Sequence, residues 1–434
     1  MQTDVEKRVS SKLMWRIIPF VMLLYFISFL DRVNAGFAAL SMNKALGISS
    51  SAFGFGGGLF FIAYFLFEVP SNLILHRVGA RVWIARVMIT WGLVSAATAF
   101  VVGPKSFDLA RFALGAAEAG FFPGIIYYLN SWFPSRQRAA AAAWFMAAVP
   151  ISTVLGSPVS GAIMQMHSAL GLANWQWLYV VEALPAVVLA FVVLKVLINS
   201  PRDAAWLQDD EKTWLLAKLK SEADARHGVQ GHTASALTAL RDPRVLVLAL
   251  IYFGTSAGLY TLGLWAPLII KQFGFSALQI GLINGIPSIA ALVAMVLWAR
   301  HSDHSGERIW HVVLPCALAA LGLVFAALST TAVAVVLALV VVNVGVSAGK
   351  APLWAMPSMF LSGEGAAAGI AAINSIGNLG GFVGPFAIGW LKASTGGYAA
   401  GLYVVGGTLL VSALLTIVFR KSVSAAAPAI GQTS

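Results

Sequence analysis

Apolar residues along this chain do not alternate; they gather into long runs separated by short polar breaks. Twelve such runs lie at about residues 15–40, 52–75, 82–102, 106–132, 139–165, 175–198, 244–270, 277–299, 309–329, 332–361, 367–391 and 398–420. A helix needs roughly 20 mostly apolar residues to cross a bilayer. Barrel strands are shorter and alternate from residue to residue, so they do not fit. The pattern predicts an all-α integral membrane protein with twelve transmembrane helices. The N-terminal MQTDVEKRVSSKLMWR leads into a run too long for a signal-peptide core, so no cleavable signal is expected.

The longest polar stretch, residues 199 to 243, separates the sixth run from the seventh. It reads as a cytoplasmic linker carrying an amphipathic helix, with Asp209 or Asp210 as cap and Trp214, Leu215 and Leu219 turned toward membrane or bundle. On either side lie two expected six-helix bundles, 1–198 and 244–434. They resemble copies, because Gly79, Arg81, Trp83 and Pro158 recur as Gly306, Arg308, Trp310 and Pro385 at one offset of 227 residues. A parallel repeat of this kind places a substrate site near the bilayer midplane, with the halves rocking about it.

Of the 434 residues 59% are hydrophobic and 10% charged, against roughly 25% charged in soluble domains. A net charge of +11 could indicate nucleic acid. Its distribution indicates topology instead. With the N-terminus inside, 21 of the 28 Lys and Arg fall in cytoplasmic segments, 4 outside (Lys44, Lys105, Lys271, Lys392) and 3 within spans. That bias places both termini in the cytoplasm and argues against a nucleic-acid partner. The single cysteine, Cys316, lies inside a span, so neither an intrachain disulfide nor metal-ligand spacing is present.

Three motifs suggest chemistry that their context denies. GTSAG at 254–258 fits a serine-hydrolase elbow but sits within a helical run, and no histidine follows it until His301. GVSAGKA around Lys350 misses P-loop spacing and has Ala351 where a magnesium-binding hydroxyl belongs. GFGGG at 54–58 reads as close helix contact rather than dinucleotide binding.

An ionised side chain at mid-membrane costs roughly 2.5 to 3.5 kcal/mol on insertion scales, so each buried charge needs a reason. The first span carries Asp31 and Arg32, the fourth Arg111 and Glu118, the tenth Lys350. Arg111 and Glu118 are seven residues apart, nearly two turns, and so share a helix face. Glu68 and Glu182 are read as groups that lock helices together. Three cations against two carboxylates leave a surplus of +1, which suits an anion. A dicarboxylate entering alone would turn that sum to −1. Protons taken up on Asp31 or Glu118 would keep the loaded site near neutral, which predicts proton symport.

The segments FLDRVNAGFA, RFALGAAEAGFFPGIIYYLNSWFP, NWQWLYVVEALPAV and INSIGNLGGFVGPFAIGWL resemble the major facilitator superfamily, and within it the anion:cation symporters. That branch includes bacterial carriers of phthalate, tartrate, sugar acids and hydroxyphenylacetate, and is related to vesicular glutamate transporters and sialin. The resemblance implies a monomeric bacterial inner-membrane carrier with no cofactor beyond the coupling proton. It also implies protonation at Asp31 and Glu118 and a substrate site lined by Arg32, Arg111, Tyr64, Trp354 and Asn374. The loop RVGAR, with Arg77 and Arg81, resembles the superfamily's gating loop, with His76 where an acid is usual; the second copy keeps Asp303 ahead of Arg308.

Lys350, which departs from the family pattern, is read as a third substrate-binding cation. Phe60, Tyr64, Tyr127, Trp144, Tyr252, Tyr260 and Trp354 offer flat apolar area, and AAAAWFMAAVPISTV is poor in amides and hydroxyls. These favour an aromatic dicarboxylate such as phthalate. The alternatives are tartrate or another small hydroxy acid or sugar acid, and an uncoupled facilitator or exporter.

Overall fold

The computed structural model describes residues 4–166, 170–228, 241–361 and 363–426, and no β-strand forms among them. Residues 229–240 of the expected linker lie outside the described residues. In chain order the helices are α1 (Asp4–Ala45), α2 (Ser50–Val78), α3 (Ala80–Ala97), α4 (Pro104–Glu118), α5 (Phe121–Trp132), α6 (Ser135–Ile163), α7 (Asn174–Val196), α8 (Asp209–Gly228), α9 (Pro243–Lys271), α10 (Ala277–Ser305), α11 (Trp310–Leu328), α12 (Ala332–Ala348), α13 (Lys350–Ala355), α14 (Gly363–Asn378), α15 (Gly380–Thr395) and α16 (Ala399–Ala426). Among the described residues, eleven stretches are long and apolar enough to cross a membrane. The remaining run is shared between α14 and α15, interrupted at Leu379.

Three runs that read as continuous are therefore broken. In the fourth, α4 ends at Glu118 and α5 begins at Phe121, with Gly120 at φ 90° between them. A side chain there would be strained and would also run into the Ser71 side chain. Ser71 Oγ donates to the Ala119 carbonyl at 2.7 Å and accepts from Trp83 Nε1 at 3.0 Å. Such repairs are what allow interrupted helices inside a membrane. The tenth run breaks at Gly349, and Lys350 opens the short helix that follows.

The chain divides into two compact units. One comprises Met1–Ser49, Gly56–Gly231 and Phe275–Gly285; the other comprises Ser50–Phe55, His232–Gly274 and Ile286–Ser434. In the first unit α4 lies close on α2: a Cβ at Gly115 would collide with the Phe60 carbonyl, and one at Gly56 would sit 2.7 Å from the Phe107 ring. Helix α8 is tied to α1 by Arg8 to Asp210 at 2.6 Å and Lys12 to Glu211 at 2.7 Å, with Leu215 fully buried beneath.

The second unit packs on a core that includes Val245, Leu248, Ile251, Val312, Cys316 and Met356. Small residues of GTSAG allow its closest crossings. Gly380 and Gly384 lie against the α9 backbone at Phe253 and Ala257, and a Cβ at Gly254 would meet the Thr408 carbonyl at 2.6 Å. Ser256 is buried at mid-helix, which is no strand-to-helix elbow.

Candidate anion and proton site

Asp31 and Arg32 are consecutive residues of α1, so their side chains leave the helix about 100° apart. Arg32 turns toward α2 and α4. Its guanidinium carbon sits 5.3 Å from the Phe60 ring centre and 5.1 Å from that of Tyr64. Its Nε donates to Glu118 Oε1 at 2.7 Å, and Ser28 Oγ donates to the same oxygen at 2.6 Å. Glu118 is fully buried, and its Oε2 has no hydrogen-bond partner among the described residues.

Arg111 approaches the same Phe60 ring, 5.2 Å from its centre. The contact depends on Gly115, one turn along α4, which lets that helix touch the Phe60 backbone. Arg111 is 1% exposed, and its Nε and Nη1 have no acceptor among the described residues. Desolvated guanidinium donors without an acceptor are costly, and the donor fork matches a carboxylate. Two cations within 5.3 Å of one aromatic ring centre, one of them with unmet donors, form a cradle for an anion.

Asp31 faces elsewhere. It accepts from Ser95 Oγ at 2.7 Å and Trp91 Nε1 at 3.1 Å, both on α3, and from Asn34 Nδ2 at 3.3 Å. The two carboxyls that the sequence assigns to protons thus occupy different surroundings. One is ion-paired and the other is held by neutral donors. Glu182, read as a helix lock, joins α7 to α6 through Ser160, which donates to it at 2.5 Å. Ser28, Trp91, Ser95 and Ser160 were not singled out from sequence. The available signal was a polar group within an apolar run, which is weak for a single serine.

The other expected residues lie in the second unit. Lys350 is the first residue of α13 and takes part in no ion pair among the described residues. Trp354, one turn on, meets Tyr252 edge-on at 5.0 Å. Asn374 lies in α14 and is 8% exposed.

The two loop copies close differently. After α2, Gly79 takes φ 91° and the Arg81 amide donates to Asn199 Oδ1 at 3.0 Å, while Arg77 and Arg81 enter no ion pair among the described residues. After α10, Arg308 pairs with Asp303 at 2.7 Å and donates to Ser302 at 2.8 Å. Beside it Glu307 meets His311, and His311 meets His301. Burial pushes the Glu307 carboxyl up, but the Trp310 and His311 amides and the His311 ring outweigh it and hold the group below the usual carboxylate range.

The aromatic area that favoured a ring-shaped substrate is largely engaged. Phe60 and Tyr64 face guanidinium groups, Tyr252 and Trp354 pack on each other, Tyr127 stands 4.4 Å from the His76 ring, and Trp144 is 56% exposed.

Residues 21–385 match the profile of the Major Facilitator Superfamily. The chain belongs to this superfamily. A protein of Agrobacterium vitis named provisionally as a tartrate transporter is 62% identical over 96% of this chain and 93% of its own length. A quinolone resistance transporter of Acinetobacter baumannii is 43% identical, with 96% of each chain covered. The crystal structure of a D-xylose-proton symporter superposes with a TM-score of 0.74 at 17% identity, covering 94% of this chain and 98% of that one. This superfamily member is a multi-pass membrane transport protein, not an enzyme.

Proposed function

We propose that this protein imports a small hydroxy-dicarboxylate, tartrate or a near analogue, together with protons by alternating access. It would act as a monomer in the bacterial cytoplasmic membrane with both termini inside. The observation that carries the reading is the pair Arg32 and Arg111 on one Phe60 ring, with two buried Arg111 nitrogens lacking acceptors among the described residues. Identity to the Agrobacterium vitis relative directs it to tartrate. Lys350, Trp354 and Asn374 are proposed as further substrate contacts on the resemblance and the residue chemistry.

The coupling follows from competition for Arg32. Its Nε is held by Glu118, so an incoming carboxylate must displace a buried counter-ion. A proton on Glu118 removes that competitor and leaves Arg32 to the substrate. Unloading the substrate restores the pair once the proton departs. Net uptake thus requires both ligands.

The test is uptake of labelled tartrate by proteoliposomes, with the pH gradient and membrane potential imposed separately and phthalate as competitor. Uptake driven by an inward proton gradient and resistant to phthalate is expected. Gradient-independent equilibration would overturn the coupling, and preferential phthalate uptake would overturn the substrate.

A further inference from the structure

Three side chains where α10 meets α11 form a continuous chain that the transport scheme does not use. Glu307 Oε2 accepts from His311 Nδ1 at 2.8 Å, and His311 Nε2 lies 2.7 Å from His301 Nδ1. Glu307 also caps α11, accepting from the Trp310 amide at 2.9 Å. His311 is 6% exposed, whereas His301 is open to solvent. Trp298 covers the group. Its ring stacks on that of His301 with centres 6.2 Å apart, and its Nε1 donates to the His311 carbonyl at 2.9 Å.

The repeat indicates that folding of such a loop does not require these groups. At the offset of 227 residues, His301, Glu307 and His311 correspond to Ile74, Ala80 and Ile84, and the first loop closes without them. Trp298 corresponds to Ser71, which repairs the break at Gly120. Its own bond falls beside the break of the second copy, because a Cβ at Gly349 would lie 3.9 Å from the His311 carbonyl oxygen. Lys350 follows directly.

A hydrogen bond between two ring nitrogens needs one proton between them. With none added, His301 Nδ1 donates to His311 Nε2, and His311 Nδ1 donates to Glu307. One added proton settles on the exposed His301 Nε2 and leaves both bonds intact. A second must go to His311 Nε2, where the N–H groups of two cations would face each other across 2.7 Å. Glu307 offsets only one of them, so the exposed ring leaves.

No other described side chain nearby supplies a spare negative charge. On α10 and the loop, Asp303 is paired with Arg308, and Arg300 and His304 are exposed. Of the helices that share a core with α11, α9 contributes Asp242 and Arg244, paired with each other at 2.7 Å; α13 contributes Lys350, and α16 the exposed Arg420.

We propose that Glu307, His311 and His301 form a cytoplasmic proton sensor that opens in acid and releases the Trp298 contact beside the break ahead of Lys350. The sidedness rests on the topology proposed above. Opening loosens the seat of α13 and slows the carrier. Histidine changes charge between about pH 5 and 8, so the device answers the acid load that symport of an organic acid with protons delivers.

Nitrogen NMR of the purified full-length carrier, isotopically labelled at histidine, tests the chain directly. As pH is lowered from about 8 to 5, His301 and His311 are expected to titrate in two mutually dependent steps. His301→Gln is then expected to change the pH at which His311 titrates. Tartrate exchange in proteoliposomes held at one pH on both sides reads the consequence. In the Glu118→Gln background, which removes that carboxyl from the pH dependence, exchange is expected to fall about fivefold between neutral pH and about pH 5.5. Adding His301→Gln should abolish the fall and leave the neutral-pH rate unchanged. A His311 titration indifferent to His301→Gln, or an equal fall in the double variant, overturns the proposal. A Glu118→Gln carrier that exchanges no tartrate would instead defeat the symport reading, and the dependence of His311 on His301 would still decide the sensor.

Discussion

Arg32 Nε stands 2.7 Å from Glu118 Oε1, and both side chains are buried. An ion pair of this kind is a constraint as much as a support, because removing one partner strands the other charge at a cost of about 3–5 kcal/mol. Glu118→Gln keeps the size and a hydrogen-bonding oxygen but imitates the protonated state. It should bind tartrate with little dependence on pH, retain tartrate exchange across the membrane, and lose uptake driven by a pH gradient. Arg32→Met should lose binding by more than about 100-fold, since it removes the guanidinium and strands Glu118. Thermal-shift titration and counterflow in proteoliposomes check both.

The shared Phe60 ring makes a separate prediction. A cation over an aromatic face in a desolvated site gains about 2 kcal/mol, and here two guanidiniums lie 5.3 and 5.2 Å from one ring centre. Phe60→Leu preserves apolar bulk but removes the face. Tartrate affinity should fall about tenfold, with a milder change in detergent stability. Arg111→Lys should be more damaging to binding than to folding, because an ammonium cannot present the same fork of donors. Equal losses of stability and affinity in both variants would contradict the assigned roles.

The crossings were legible because a bilayer demands long apolar runs, and such runs survive any detail of packing. The charged residues were legible because each is conspicuous inside such a run. Which way they face was not. Helices apolar on all sides carry no stripe to fix their rotation, so nothing in the pattern of α1 said that Asp31 meets Ser95 while its neighbour meets Glu118. The interruption at Gly120 was hidden for a related reason: hydropathy measures composition, whereas this break depends on one φ angle of 90° and on Ser71 being present to donate to the Ala119 carbonyl.

Gly115 should tolerate almost nothing. Its missing side chain is what lets α4 lie against the Phe60 carbonyl and carry Arg111 to the ring. Gly115→Ala must move one backbone or the other, and overpacking of this sort costs about 1–3 kcal/mol. The expected result is a lower melting temperature together with weaker tartrate binding, since the displaced helix takes Arg111 and Glu118 with it. Gly407→Ala, at a position with no neighbouring atom within 4 Å of the added carbon, is the control and should leave both unchanged.

Docking of α8 on α1 should depend on acid through Glu211. Burial pushes this carboxyl up, but hydrogen bonds from Lys12 and the Gln208 amide, with the charges of Lys12 and Arg8, hold it below its ordinary value of 4.5. A depressed folded-state value means the unfolded chain takes up the proton first as pH falls. The stabilisation is therefore complete well above 4.5, declines as pH drops below that value, and is gone once pH passes the folded-state value. Glu211→Gln removes the charge at every pH. The melting-temperature difference between wild type and variant should be largest at neutral pH and close as the solution is acidified below 4.5. Lys12→Met should reproduce much of the loss, because it removes the 2.7 Å partner. A difference that stays constant from neutral to acid pH would show that the ion pair is not what holds the linker helix in place.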